Sequence, residues 1–286
     1  MLQIKQLLIN SITNIIIVVT SINVIVLLLS TIKYPYVNSD AAFYLMVGKN
    51  IIREGFLYYK DIFSPYTPLG IYIYSLPYYF TSNTEFMLQI ILSLSFLVIN
   101  SILFYKIVLK ISDSSIFSVM MAIYFLLLNL EFGGTYVYLE PIAIFFVLLS
   151  LSILSNANLK YRILIAGLFL SFAILVKQYT ILFLIPFLVI VSFANQSRKI
   201  KSALIFIIGV LSPLPCLIFY LLYFNIDIIQ TINLFFGKNE NFSNSYAGMD
   251  YNFMGLFQRI IVFLFYTPYF VVLFFVPSLI FIVRKN

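Results

Sequence analysis

Apolar and polar residues follow a coarse pattern along this chain, in which long apolar runs are separated by shorter polar segments. The runs are continuous rather than alternating, so they predict helices rather than barrel strands, and runs long enough to span a bilayer recur along the chain. We therefore predict an all-α, polytopic transmembrane helical bundle of about eight spans. The spans are expected near residues 7–32, 86–106, 114–131, 141–156, 162–176, 179–195, 202–224 and 259–283.

Two longer segments, 33–85 and 225–258, interrupt this pattern and are predicted to be outer loops of one membrane domain. Within the first loop, residues 40–54 place apolar and charged side chains on opposite faces of a helix that Gly55 can end. Residues 66–82 are apolar but short, and they are rich in tyrosine, which prefers the membrane interface. We expect this second stretch to be a helix that lies in the outer interface.

Charge is scarce in this sequence and unevenly placed. Hydrophobic residues make up 63% of the chain and charged residues 9%. With the predicted spans, ten of the seventeen basic residues but only one of the ten acids, Asp113, fall at one face, which is therefore predicted to be cytoplasmic. The ten are Lys5, Lys106, Lys110, Lys160, Arg162, Arg198, Lys199, Lys201, Arg284 and Lys285. The chain is then a multi-pass protein of the plasma (inner) membrane with both termini in the cytoplasm, and no nucleic-acid partner is needed to explain its basic balance.

The residue types that are missing limit the chemistry. The chain has no histidine and a single cysteine, Cys216, which excludes an internal disulfide, a cysteine-cluster metal site and histidine as a base or zinc ligand. Any catalysis would have to use carboxylates, Lys, Arg, Tyr or amides.

Polar residues near the predicted outer ends of spans are the candidates for such chemistry, because charges next to apolar segments are costly. They are Asp40 after the first span, Lys60 and Asp61, Glu131 and Glu140, and Lys177 with Gln178. In a compact bundle these residues could meet in one cavity at the outer boundary of the membrane.

Structural roles compete with each of these functional roles. Asp40 and Glu140 can each cap the start of a helix, where the positive end of the helix dipole stabilises a carboxylate. Lys177 can extend its ammonium group from a helix end towards water, and Lys60 with Asp61 can form a solvated pair of little energetic value.

Residues 38–72, NSDAAFYLMVGKNIIREGFLYYKDIFSPYTPLGIY, resemble the first outer loop of the C-type, polyprenyl-phosphate-dependent glycosyltransferases. The stretch is most similar to the branch of the protein O-mannosyltransferases and the lipid A aminoarabinose transferases. In that family an acid follows the first span, and an aromatic-Tyr-x-Asp motif precedes Pro-Pro-Leu, where this chain has Thr67-Pro68-Leu69. Two further similarities follow in family order, Tyr138-Leu-Glu-Pro-Ile and Leu175-Val-Lys-Gln.

The resemblance implies a membrane helical bundle that passes a sugar from a polyprenyl-phosphate donor to a lipid, glycan or protein acceptor of the cell envelope, usually with inversion. It assigns the reacting carboxylate to Asp40, which would take the proton of the acceptor hydroxyl. A cation would stabilise the leaving phosphate. Lys177 is the first candidate for it and Lys60 the second.

Further residues near the predicted outer ends of the spans are candidates for substrate binding. Gln178 could bond a phosphate oxygen or a sugar hydroxyl, and Glu140 and Asp61 could orient the sugar or the acceptor. No cofactor is implied, although Asp40 with Glu131 or Glu140 could hold a divalent ion.

Two other classes of function fit an apolar bundle with interfacial tyrosines. One is a transporter or flippase of lipid-linked saccharides, which would more naturally place charges or broken helices near mid-membrane. The other is a non-catalytic membrane subunit of a polysaccharide assembly complex. Compared members of the resembled family are usually longer. Four expectations follow for this chain: a core module that lacks acceptor-recognition parts, a truncated gene product, a chain that needs a partner subunit, or an inactive remnant.

Overall fold

The computed structural model describes residues 39–62, 64, 67–80, 85–131, 138–156, 159, 161–194 and 199–235. The predicted first and last spans, and most of the second outer loop, lie outside the described residues. Within the described ranges every regular element is a helix, which confirms the all-α class.

The helices follow one another in the order that the apolar runs predict. They are α1 (Ser39–Arg53), α2 (Pro68–Ser75), α3 (Glu85–Ser112), α4 (Ser115–Glu131), α5 (Glu140–Leu154), α6 (Arg162–Val176), α7 (Leu184–Ala194), α8 (Lys199–Leu211), α9 (Leu214–Tyr223) and α10 (Ile228–Phe235). Two 3₁₀ segments, Leu76–Tyr79 and Gln178–Phe183, follow α2 and α6.

Two stretches of the described chain are long and apolar enough to cross a membrane, Met87–Ser112 and Lys199–Tyr223. Four other apolar stretches, on α4, α5, α6 and the segment that includes α7, are 10 to 17 residues long. A span needs about 20 residues unless the bilayer or the neighbouring helices adapt. Helix length and composition therefore support two of the predicted spans, and the remaining spans stay predictions.

The predicted continuous span 202–224 contains a break. Helix α8 ends at Leu211 and α9 begins at Leu214, because Pro213 has no amide hydrogen and its ring cannot follow a full helical turn. The carbonyl oxygen of Gly209 instead accepts the amide of Ser212 at 3.3 Å and its hydroxyl at 2.7 Å. The predicted span 202–224 thus consists of two helices joined by a turn, within the stretch Lys199–Tyr223 that is long and apolar enough to cross a membrane.

Helices α5, α6 and α8 pack closely because small residues lie where they meet. The Ser150 hydroxyl donates to the Ala166 carbonyl oxygen at 2.7 Å. A Cβ added to Gly167 would lie 2.3 Å from the Phe206 carbonyl oxygen, so glycine is required where α6 meets α8. This contact fixes α6 at the centre of the described helices.

The described part of the predicted first outer loop forms helices that pack beside these helices. Helix α1 confirms the predicted helix 40–54, and it ends at Arg53, two residues before Gly55, whose φ of +71° suits glycine. Helix α2 starts with Pro68 as its first residue and packs on α1 and α6. The predicted helix 66–82 is shorter than expected, since α2 ends at Ser75 and a 3₁₀ turn that includes Pro77 follows it.

Candidate functional site

Glu140 and Lys177 form an ion pair at one end of the α5–α6 hairpin. Glu140 is the first residue of α5, and Lys177 directly follows the last residue of α6. The two helices run antiparallel, so the start of one meets the end of the other. Lys177 keeps only 10% of its side chain exposed and Glu140 27%. An apolar hairpin thus places two opposite charges together at a largely buried position.

Tyr179 completes this cluster from the 3₁₀ segment after α6. At Lys177 the backbone becomes extended, with φ −150° and ψ 112°, and the following 3₁₀ turn brings Tyr179 back towards Glu140. The Tyr179 hydroxyl donates to Glu140 Oε1 at 3.0 Å, and its ring centre lies 4.9 Å from Lys177 Nζ. Tyr179 therefore contacts both members of the ion pair, as a hydrogen-bond donor to one and a cation–π partner of the other.

The environment keeps Glu140 ionised. This residue precedes the predicted span 141–156. Its burial alone would raise the pKa of the carboxyl group, but the Lys177 ammonium and the hydrogen bonds from Lys177 and Tyr179 together hold the pKa below its ordinary value. The positive end of α5 also favours a carboxylate in its first turn.

The two oxygens of the Glu140 carboxylate differ in their hydrogen bonds. Oε1 accepts from Lys177 and Tyr179, whereas Oε2 is buried and has no hydrogen-bond partner among the described residues. A buried carboxylate oxygen without a donor is uncommon in a native protein, because its lost hydration is not replaced. The arrangement can therefore accept a hydrogen bond from a hydroxyl or amide that reaches Oε2.

Helix α2, which belongs to the predicted first outer loop, packs against the residues that adjoin the ion pair. A Cβ on Gly70 would lie 2.6 Å from Leu139 Cδ2 and 3.1 Å from Val176 Cγ1, so α2 touches the residues that precede Glu140 and Lys177. The Tyr74 hydroxyl donates to the Tyr138 carbonyl oxygen at 2.6 Å. This contact joins the first outer loop to the start of α5.

Tyr74 is suited to remain a donor in this position. Burial raises the pKa of its hydroxyl above the ordinary tyrosine value, a hydrogen bond with Ser93 lowers it in part, and the Glu140 carboxylate raises it. The raised pKa keeps the proton on Tyr74, so its neutral hydroxyl can donate to the Tyr138 carbonyl oxygen.

The remaining predicted site residues lie on the first outer loop and after α6. Asp40 is the second residue of α1, and its side chain is outside the described atoms. Lys60 and Asp61 are exposed on a tight turn, where the Asp61 carboxylate accepts the Leu57 amide at 2.7 Å. Gln178 opens the 3₁₀ segment and is half-buried.

The structure thus brings Glu140 and Lys177 into contact, next to Gln178, while Lys60 and Asp61 occupy a solvent-facing turn. It also gives Asp61 the structural role of stabilising that turn. Side chains of Asp40 and Glu131 are outside the described atoms, so the divalent-ion site that either would complete stays a prediction. Of the expected meeting of all candidates in one cavity, the structure shows the contact of Glu140 with Lys177, and the shared cavity stays a prediction.

Sequence reasoning missed Tyr179, Gly70 and Tyr74 as parts of this cluster. A signal for the first was present, because Tyr179 lies two residues after a lysine at the end of an apolar helix. Gly70 and Tyr74 gave no such signal, since their role depends on where α2 packs against α6.

No protein-family model, curated protein or solved structure matches this chain. The resemblance described above therefore rests on its three short motifs, and function has to be argued from the site.

Proposed function

We propose that this chain is an integral membrane glycosyltransferase. It would move a sugar from a polyprenyl-phosphate donor to a cell-envelope acceptor on the outer face of the plasma membrane, with inversion. The observation that carries the proposal is the largely buried Glu140–Lys177 pair, in which Glu140 Oε2 has no hydrogen-bond partner among the described residues, since it offers a cation and a hydrogen-bond acceptor side by side. The ordered motifs around Asp40, Glu140 and Lys177 support the same reaction.

Lys177 would stabilise the phosphate that leaves. Its ammonium carries three donors, of which Glu140 and the Tyr179 ring use only part. A phosphate oxygen that gains negative charge as the sugar departs would be stabilised by this cation, and more strongly in a largely dry site than in water. Glu140 would hold the ammonium in place and offer Oε2 to a sugar hydroxyl.

Asp40 would act as the general base. The acceptor oxygen attacks the anomeric carbon, the bond from that carbon to the phosphate oxygen breaks, and its electron pair leaves with the phosphate. The hydroxyl proton passes to the Asp40 carboxylate. Helix α1, which carries Asp40, packs on α2, and α2 packs against the residues that adjoin the Glu140–Lys177 pair, so one small assembly of helices connects both parts of the site.

Gln178 is proposed to bond a phosphate oxygen or a sugar hydroxyl next to Lys177. Lys60 and Asp61 are proposed to contact a substrate at the exposed turn, where a ligand can reach them without displacing a helix. No resident cofactor is part of this mechanism.

The proposal is tested by sugar transfer in membrane vesicles, with labelled polyprenyl-phosphate sugars as donors and native envelope extract as acceptor. Asp40→Asn should lower the rate by about 10²–10⁴-fold, because the amide cannot take the proton. Glu54→Gln removes an exposed acid directly after the same helix and should leave the rate unchanged.

Equal transfer by wild type and Asp40→Asn would remove Asp40 from the mechanism. If neither the wild type nor any variant transfers a sugar while all are present in the membrane, the glycosyltransferase proposal fails.

One observation favours a second function, transport of a lipid-linked saccharide. The stretch Lys199–Tyr223 is broken at Ser212 and Pro213, and interrupted spans are typical of transporters at their substrate sites. Vesicles that move a labelled lipid-linked sugar across the bilayer without transferring it would replace the first proposal by this one.

A further inference from the structure

An apolar groove lies between α2, α6 and α9, and the turn at Ser212 and Pro213 forms part of its wall. Its volume is about 420 Å³, within the range of small-molecule pockets. Side chains that line it include Leu69, Tyr72, Leu168, Phe172, Leu217 and Tyr220. The residues on α6 and on α9 recur at intervals of three and four, so one stripe of each helix faces the groove.

The polar groups in the groove wall are already paired. The hydroxyl oxygens of Tyr72 and Tyr220 lie 3.3 Å apart, and the Tyr220 hydroxyl donates to the Tyr58 carbonyl oxygen at 3.0 Å. The Ser212 hydroxyl donates to the Gly209 carbonyl oxygen at 2.7 Å. A ligand in the groove therefore finds no vacant hydrogen-bond donor in these hydroxyl groups, which favours a hydrocarbon over a phosphate.

Neither an empty groove nor a water-filled one suits this wall. Lining atoms that face a void lose their van der Waals contacts. Water in the groove would need two to four polar partners, and the hydroxyl protons of the groups above are donated elsewhere. A hydrocarbon chain satisfies the wall, because it restores the contacts without demanding hydrogen bonds.

The position of α9 indicates where that hydrocarbon comes from. Its other residues Phe219 and Leu222 are 67% and 60% exposed, and the helix belongs to a stretch that is able to cross a membrane. Cys216 lines the groove and is exposed as well, so the groove opens at this apolar surface. A helix placed in a bilayer would present that opening to acyl chains.

We propose that the α2–α6–α9 groove binds one acyl chain of a membrane phospholipid. The site is separate from the Glu140–Lys177 pair, and it rests on the membrane placement in the proposed function but not on sugar transfer. The break at Ser212–Pro213 is part of the site, since Pro213 itself lines the groove.

The absence of tryptophan from the sequence provides a clean test. Phe172→Trp places a single indole in the groove wall, and Phe219→Trp places one on the exposed surface of α9. The full chain, purified in mild detergent, is titrated with a phosphatidylglycerol whose acyl chains are brominated, because bromine quenches indole fluorescence on contact. Half-quenching of Phe172→Trp should occur at a lipid mole fraction about fivefold lower than for Phe219→Trp.

A second variant adds a blocking control. Leu217→Phe narrows the groove. Combined with Phe172→Trp, it should remove the quenching seen at low lipid mole fraction. Combined with Phe219→Trp, it should leave the quenching curve unchanged. Leu175→Trp is a second groove reporter if Phe172→Trp does not fold.

Three results would overturn the proposal. Parallel quenching of groove and surface indoles would mean that the lipid acts only as bulk solvent. Absence of quenching in the groove reporters, with normal quenching of Phe219→Trp, would mean that a segment of this chain fills the groove. Quenching at low lipid mole fraction that polyprenyl phosphate relieves, but unlabelled phosphatidylglycerol does not, would assign the groove to a different lipid. None of these readouts depends on sugar transfer, whereas release of the wild type from membranes by alkaline extraction would refute the membrane placement that both proposals share.

Discussion

The two ends of helix α5 place a lysine in contrasting environments. At its first residue, Glu140 pairs with the nearly buried Lys177, and Tyr179 contacts both. Beyond its last residue, the exposed Lys110 donates to the Ser155 carbonyl oxygen. Both ends obey the helix dipole, with a carboxylate at the start and a cation at the end. Only the first end excludes water from its charges, and that exclusion requires a partner for each of them.

The charges at the two ends of α5 differ in the free-energy cost of their desolvation. An exposed lysine on a helix carboxyl end loses little hydration and gains little energy. A buried ion pair has to recover a large desolvation cost through close contact, so it is rarely the most stable choice for an apolar helix end. Its presence at this end of α5 is consistent with the proposed reaction, in which Lys177 and Glu140 bind the substrate.

Lys177→Met should break the comparison most strongly. Removing the ammonium leaves the Glu140 carboxylate largely buried without its counter-ion, and we expect a loss of about 3 kcal/mol in the free energy of unfolding. Lys110→Met, the same change at the other end, should alter it by no more than about 0.5 kcal/mol. Denaturant titration of both purified variants in one detergent measures the two values.

Adding Glu140→Gln to Lys177→Met should recover part of that loss, because the unpaired carboxylate is then gone. An equal loss of unfolding free energy in the two lysine variants would show that the Glu140–Lys177 pair is as well hydrated as Lys110.

Gly70→Ala should have the next largest effect. The new methyl group would meet Leu139 and Val176 and push α2 away from the ion pair, at a cost of about 1–2 kcal/mol. Since the closest atom is Leu139 Cδ2, the further change Leu139→Val should restore a part of the stability. Limited proteolysis in the first outer loop measures how far α2 has loosened, and unchanged cleavage would show that α2 does not depend on this contact.

Tyr179→Phe should have a smaller effect, about 1 kcal/mol, because the ring stays over Lys177 and only the hydrogen bond to Glu140 Oε1 is lost. Tyr124→Phe, at a half-exposed position on α4, is the control and should change stability by less than about 0.5 kcal/mol. In a double-mutant cycle with Glu140→Gln the effects of Tyr179→Phe should not add, and simple additivity would separate Tyr179 from the pair.

The smallest effect is expected in the pH dependence of stability. Because the pKa of Glu140 is lowered in the folded protein, its contribution is complete above the ordinary glutamate pKa of about 4.3 and is lost as the pH falls through the folded value. Glu140→Gln should therefore show a shallower fall in unfolding midpoint than the wild type on acidification below that pH. Identical slopes would mean that Glu140 titrates alike in the folded and unfolded chains.

Much of the helix order could be predicted from the sequence, because continuous apolar runs leave few alternatives to helices. The break at Pro213 was missed even though proline is the strongest local signal against a helix, since the apolar run continues on both sides of it. The shorter α2 was missed for a related reason, because the apolar and tyrosine-rich pattern persists beyond Ser75.

The sequence by itself determined that the described chain is helical, that Glu140 starts one apolar helix, and that Lys177 ends the next. These are consequences of local pattern and of antiparallel connection, which places both residues at the same end. Only the tertiary structure decided that the two charges touch, that Tyr179 joins them, and that α2 packs beside them. Those contacts depend on how closely helices approach and on which groups water is excluded from, and residues far apart in sequence set both.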